Sequence, residues 1–152
     1  MAALDTLVNP PFASDPPVKV NFDAKVVGLV VAILAGLGAL LSLLALLGLL
    51  GASAVAGSTF GGIFFIALIG VLVTLVADVM AAIGGWQMYQ GNESGKRLAI
   101  YGLALAFVAQ IVQMIGFGSA GGILGLILLA IVYYAIVVSR YPGREPSTSR
   151  GV

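Results

Sequence analysis

One acidic residue, Asp78, lies inside an otherwise uncharged apolar run, LVTLVADVMAAIGG. In a membrane-spanning helix such a group costs about 2.5–3.5 kcal/mol to insert, so it is expected to face inward onto polar partners. Two chemistries fit it. A carboxyl group can clasp neighbouring helices through hydrogen bonds, or it can bind a proton or a cation, and intramembrane ionisable groups are functional candidates by default. The clasp is the simpler reading, because no Lys, Arg or His lies in any apolar run to form a relay.

The spacing around Asp78 suggests partners. Gly70, Thr74, Ala81 and Gly85 fall on nearly the same helical face, giving a small, polar stripe. Further along, Gly102, Ala106, Gln110 and Gln113 form a second such stripe. Counted by depth from the helix ends, Tyr133 and Tyr134 come level with Asp78, and Gln110 lies about one turn deeper, near Thr74. The two stripes are expected to face each other, with Asp78 bonded to a Tyr hydroxyl or a Gln amide.

Other chemistry is excluded by composition. The chain has no cysteine and no histidine. That leaves no disulfide, no thiol redox site, no zinc or haem ligation by those residues, and no Ser-His-Asp arrangement. No catalytic constellation, metal site or cofactor is expected. The segment Gly91-Asn92-Glu93-Ser94-Gly95-Lys96 lacks the phosphate-loop pattern and follows no strand, so it reads as a turn. A net charge of +1 with no basic stripe argues against a nucleic-acid partner.

The elements that position Asp78 follow from hydropathy. Of 152 residues, 61% are hydrophobic and 9% charged, against about 25% charged in a soluble domain. Such a chain cannot cover a water-facing surface, and a helix crosses the hydrocarbon core with about 20 apolar residues. The expectation is an all-α integral membrane protein: four transmembrane helices, arranged as two antiparallel hairpins in a small bundle. Residues 1–25 form a polar tail whose Pro10, Pro11, Pro16 and Pro17 predict extended chain. The transmembrane domain covers 26–139, with spans at about 26–50, 60–85, 98–116 and 122–138. Gly51–Thr59 and Phe117–Gly121 are read as short turns, Trp86–Arg97 as the charged loop, and 140–152 as a polar tail stopped by Pro142 and Pro146. Ala52-Ser53-Ala54 resembles a leader cleavage site, but the preceding run is longer than the roughly 7–15 residues of a signal peptide's apolar region. An uncleaved first span is expected.

Orientation follows from Lys and Arg. Lys19 and Lys25, then Lys96 and Arg97, then Arg140, Arg144 and Arg150 all fall on one side of a four-span chain, and the other two turns hold none. The positive-inside rule places that side, with both termini, in the cytoplasm of a cell membrane. Trp86, Tyr89, Tyr101 and Tyr141 sit at the same helix ends as an interfacial aromatic belt; with Lys96, Arg97 and Arg140 they are the expected interface anchors. Small residues spaced four apart, as in Ala32/Gly36, Ala77/Ala81, Ala81/Gly85, Gly102/Ala106, Gly118/Gly122 and Gly121/Gly125, predict close helix packing within the bundle or against a neighbour.

In length, Gly/Ala richness and the possession of a membrane carboxyl group, the chain resembles the four-helix proteolipids of rotary ATPases. Its charged loop lacks their Arg-Gln/Asn-Pro turn, and its first span lacks their long glycine repeat. Small multidrug transporters also have four spans and one key carboxylate, a Glu in span one, where this chain has no acid. The expected function is therefore that of a non-enzymatic, multi-pass membrane protein. It would be an accessory or scaffold subunit that meets lipid and either other membrane subunits or further copies of itself. The alternative is a small proton- or cation-coupled transporter or channel component using Asp78.

Overall fold

The computed structural model describes residues 2–13, 22–56, 61–117 and 121–141. Among the described residues the chain is helical and contains no strand: α1 (Ala2–Val8), a 3-10 turn (Pro11–Ala13), α2 (Ala24–Ala56), α3 (Gly61–Tyr89), α4 (Ser94–Phe117) and α5 (Gly121–Val138). Helix satisfies every backbone group within its own segment, which a nonpolar surrounding demands. Three stretches, Ala24–Ser53, Phe64–Tyr89 and Ser94–Met114, are long and apolar enough to cross a membrane, and Gly122–Val138 is a shorter apolar helix.

α3 is the central element and packs closely on α2 and α4. Glycine makes both contacts. A Cβ on Gly28 would lie 2.6 Å from the Gly85 carbonyl oxygen and 2.6 Å from Met88 Cβ, and one on Gly102 would lie 2.7 Å from the Ala81 nitrogen. Gly84 lies equally close to Ala99 and Gly95. Gly84 and Gly85 are adjacent, so they point about 100° apart round the helix. Gly84 serves α4 and Gly85 serves α2. Of the four-spaced small residues, Ala32, Ala77, Ala81, Gly85 and Gly102 are thus used inside the bundle, whereas Gly36 faces open space. α5 sits less tightly on α4, with Gly122 against Met114 and Gly125 against Gln110.

The helix ends that carry the basic residues converge. The Ala24 amide donates to the Arg140 carbonyl and the Arg140 amide to the Phe22 carbonyl, each at 2.9 Å. Asp23 caps α2 by accepting from the Lys25 amide at 2.8 Å. The Lys96 ammonium donates to the Val137 carbonyl at 2.8 Å and to that of Ser139 at 3.3 Å. A cation there satisfies carbonyls that the end of α5 leaves unpaired and opposes the negative end of its dipole. The fully buried large side chains, Met88, Ile100 and Ile136, lie at this end. Farther along, the surface is apolar and open: Leu41 is 65% exposed and Leu47 59%. In water, patches of this extent mark a contact surface with another molecule or with lipid.

Three boundaries differ from expectation. Residues 1–25 are not extended throughout: α1 and the 3-10 turn form, and Val8 is buried against the bundle. Pro10 and Pro11 end one helical segment and start the next, positions at which the missing N–H costs little. Pro16 and Pro17 lie outside the described residues, as do positions 57–60, 118–120 and 142–152. α2 runs through Gly51 to Ala56, where a turn was expected. Ser53 donates to the Leu50 carbonyl at 2.7 Å there, and Gly and Ser weaken a helix without ending it. The charged loop shrinks to Gln90–Glu93. Gly91, at φ +84°, closes α3: its amide bonds the Met88 carbonyl, and the Asn92 amide bonds that of Gln87, both at 2.9 Å. This is the Schellman ending, in which the left-handed position favours glycine.

Candidate functional site

Asp78 is half-buried on α3 and faces α2. The Ser42 hydroxyl donates to its Oδ2 at 3.0 Å. One turn earlier on α2, Gly38 makes room for the carboxyl group: a Cβ there would meet its atoms at 3.0–3.1 Å. The expected Tyr or Gln partner is therefore corrected to Ser42. The cause is register and azimuth. At the level of Asp78, α4 presents Gly102, seated on Ala77 and Ala81. Gln110 lies about 12 Å farther along α4 at 1.5 Å per residue.

The expected pairing of the two stripes holds one level deeper. Gln113 donates through Nε2 to Thr74 Oγ1 at 2.9 Å and more weakly, at 3.5 Å, to the Gly70 carbonyl. The Thr74 hydroxyl in turn donates to the same carbonyl at 2.9 Å. Gln110 points elsewhere and donates to the Gly122 carbonyl of α5 at 3.5 Å. A cavity of about 230 Å³ lies between the clasps, lined by Leu41, Ser42, Ala45, Val71, Thr74 and Gln113. Hydroxyl and amide groups from α2, α3 and α4 thus converge at one depth.

Tyr133 and Tyr134 do not reach Asp78. The Tyr133 hydroxyl donates to the Leu7 carbonyl at 2.7 Å. Phe12 stacks on Tyr134, with ring centroids 6.1 Å apart, and meets Tyr133 edge-on at 6.5 Å. Both tyrosines hold the N-terminal segment against α5.

The expected anchors divide into two groups. Trp86 and Tyr89 are 51% and 43% exposed, with rings 5.5 Å apart at the end of α3, and Arg97 and Arg140 are exposed at the same end. Tyr101 is half-buried against the core. Lys96 is turned inward to cap α5. Tyr141 donates its hydroxyl to the Asn92 carbonyl at 3.1 Å, tying the chain after α5 to the α3–α4 turn. Burial, with Glu93 nearby, raises its phenol above the ordinary tyrosine range.

Ser42, Gly38, Leu7 and Phe12 are the participants that sequence reasoning missed. Ser42 had a signal, being the one polar side chain in the run from Val26 to Leu50. Among the described residues no buried side-chain polar atom lacks a partner, and no three acidic side chains cluster as metal ligands would. The arrangement can lock three helices together, and through Ser42 it links one carboxyl group to a small, mainly apolar cavity. No family model matches the chain, and comparison with characterised proteins and with solved structures finds no match.

Proposed function

We propose that this chain is a small, non-enzymatic membrane protein that works by association, as an accessory or scaffold subunit of a larger membrane assembly or as a homo-oligomer. In this reading α2 to α5 are four spans, with both termini cytoplasmic in a cell membrane. α5, at about 27 Å for 18 residues, nearly matches the roughly 30 Å hydrocarbon core. The gathering of Lys25, Lys96, Arg97 and Arg140 at one end supports the orientation.

One observation carries the proposal: the interior polar groups are engaged with one another while the outer helix faces are apolar. Asp78 takes Ser42, Gln113 takes Thr74 and Gln110 takes the Gly122 carbonyl. Ser42 and Asp78 form a hydroxyl–carboxyl pair, but among the described residues no third hydrogen-bonding group orients that carboxyl, as an activated nucleophile–base arrangement requires. What remains to meet other molecules is the outer surface. Gentle detergent extraction followed by native mass measurement tests this: a stable assembly larger than the monomer is expected, and a clean monomer with no co-purifying subunit contradicts it.

The cavity lined by Ser42, the hydrogen-bond partner of Asp78, favours a second reading, a proton- or cation-coupled transporter or channel component. Asp78→Asn discriminates. An association role survives it with little loss, because Asn still accepts from Ser42; coupled transport by purified protein in vesicles would vanish with it.

A further inference from the structure

α4 and α5 are pinned to each other at two levels, by Gln110 on the Gly122 carbonyl and by Lys96 on the Val137 carbonyl. Between the pins the helices part, leaving a groove of about 440 Å³. Its walls include Leu103, Phe107 and Val108 of α4 and Leu129 and Ala130 of α5, with Leu7 of α1 at one edge. The hydroxyl of Tyr133, which also lines the groove, is already given to the Leu7 carbonyl at 2.7 Å. A polar ligand would find no partner along these walls and would lose its hydration uncompensated. An alkyl chain loses nothing there.

Depth and charge narrow the occupant. From Leu98 to Val108 is about 15 Å of helix, half of a hydrocarbon core of about 30 Å. The groove's α4 wall, Leu103 to Val108, is about 7.5 Å of that length, so it lies at a depth that a chain from a single leaflet reaches. About 9 Å before Leu103, toward the basic end of α4, Arg97 is exposed, and it lies on the same helical face as Ala104 and Val108, seven and eleven residues on. A guanidinium at that height suits a phosphate. We propose that the α4–α5 groove holds one acyl chain of a phospholipid, its phosphate at Arg97, with the N-terminal segment closing over it. The closure is built from three contacts: Val8 is buried, Phe12 lies on Tyr133 and Tyr134, and Tyr133 holds Leu7. A chain seated there exchanges with bulk lipid more slowly than one on the open face of α2.

This inference rests on the membrane reading above, and the test separates the two. Full-length protein is placed in vesicles of mixed phosphatidylglycerol and phosphatidylcholine, extracted gently and weighed by native mass spectrometry. Wild type is expected to retain one phospholipid. Ala104→Trp, which fills the groove, loses it; Leu40→Trp, on the open face of α2, keeps it. Tyr133→Phe, which frees Leu7, keeps the site but exchanges labelled phospholipid faster than wild type. Stability of each variant is followed in parallel, and Ala130→Trp fills the groove from the other wall should Ala104→Trp not fold. Retention of no lipid by wild type, retention of detergent or fatty acid alone, or equal retention by folded groove-filling variants overturns the proposal. Release of the protein from membranes by alkaline carbonate would instead overturn the membrane reading itself.

Discussion

Ser42 on α2 donates its hydroxyl to Asp78 on α3 at 3.0 Å, and Gly38, one turn away, leaves the space that the carboxyl group occupies. The pair joins the only acid in the four apolar runs to the only polar side chain of the first run. Interhelical hydrogen bonds in membranes contribute about 0.6 kcal/mol on average and up to about 1.7 kcal/mol. Ser42→Ala and Asp78→Ala should each destabilise the bundle by about that much, and Asp78→Asn by less. Gly38→Leu should cost more than either, since it displaces the carboxyl group itself. Unfolding midpoints in mixed detergent check the ranking.

The glycine contacts predict a sharper contrast. Gly84→Val and Gly102→Val drive side chains into the backbone of a neighbouring helix, and overpacking of this kind costs about 1–3 kcal/mol or more. Gly36→Val and Gly48→Val meet nothing within 4 Å and should leave stability nearly unchanged. Thermal-shift measurements on the four variants compare them directly. Equal effects at Gly84 and Gly36 would contradict the tight α3–α4 contact.

Lys96 should behave as a helix cap. Lys96→Met removes the donor to the Val137 and Ser139 carbonyls, a loss of about 1 kcal/mol. It should raise hydrogen exchange in the last turn of α5. Arg97→Met, one residue on and exposed, should leave that turn protected.

Topology can be mapped cleanly because the chain has no cysteine. Single cysteines at positions 58 and 119 should react with membrane-impermeant reagents added outside intact cells. A cysteine at Ser94 should react only after the cells are opened. Labelling of position 119 only from the inside would mean that α4 does not cross the membrane.

Much of this was readable beforehand, and physics explains the division. The helices were legible because an apolar run must satisfy its own backbone wherever water is absent; α5 begins and ends within one residue of expectation. That the two small-residue stripes face each other was legible from helical spacing, but not which glutamine meets Thr74: Gln110 is the one expected there, and Gln113 takes the place. The partner of Asp78 was not legible either. Depth counting gives a level along the axis but no azimuth, and glycine packing set the azimuth: Gly85 turns one face of α3 to α2, and Gly84 turns another to α4. α1 was hidden for a different reason. Its stability comes from Phe12 and Leu7 meeting Tyr133 and Tyr134, residues more than a hundred positions away in the chain, and no local pattern carries that.

The central claim is association through the outer helix faces, and cross-linking in native membranes tests it most directly. Single cysteines are placed at exposed positions, Leu40, Leu44 and Leu47 on α2 and Ile127 and Ile131 on α5, and treated with a short bifunctional thiol reagent before any detergent is added. The account predicts that at least one face yields a discrete, higher-mass species, either a dimer of this chain or an adduct with a defined partner, and that the others do not. Monomer alone at every position, in membranes where the protein is correctly inserted, would contradict it.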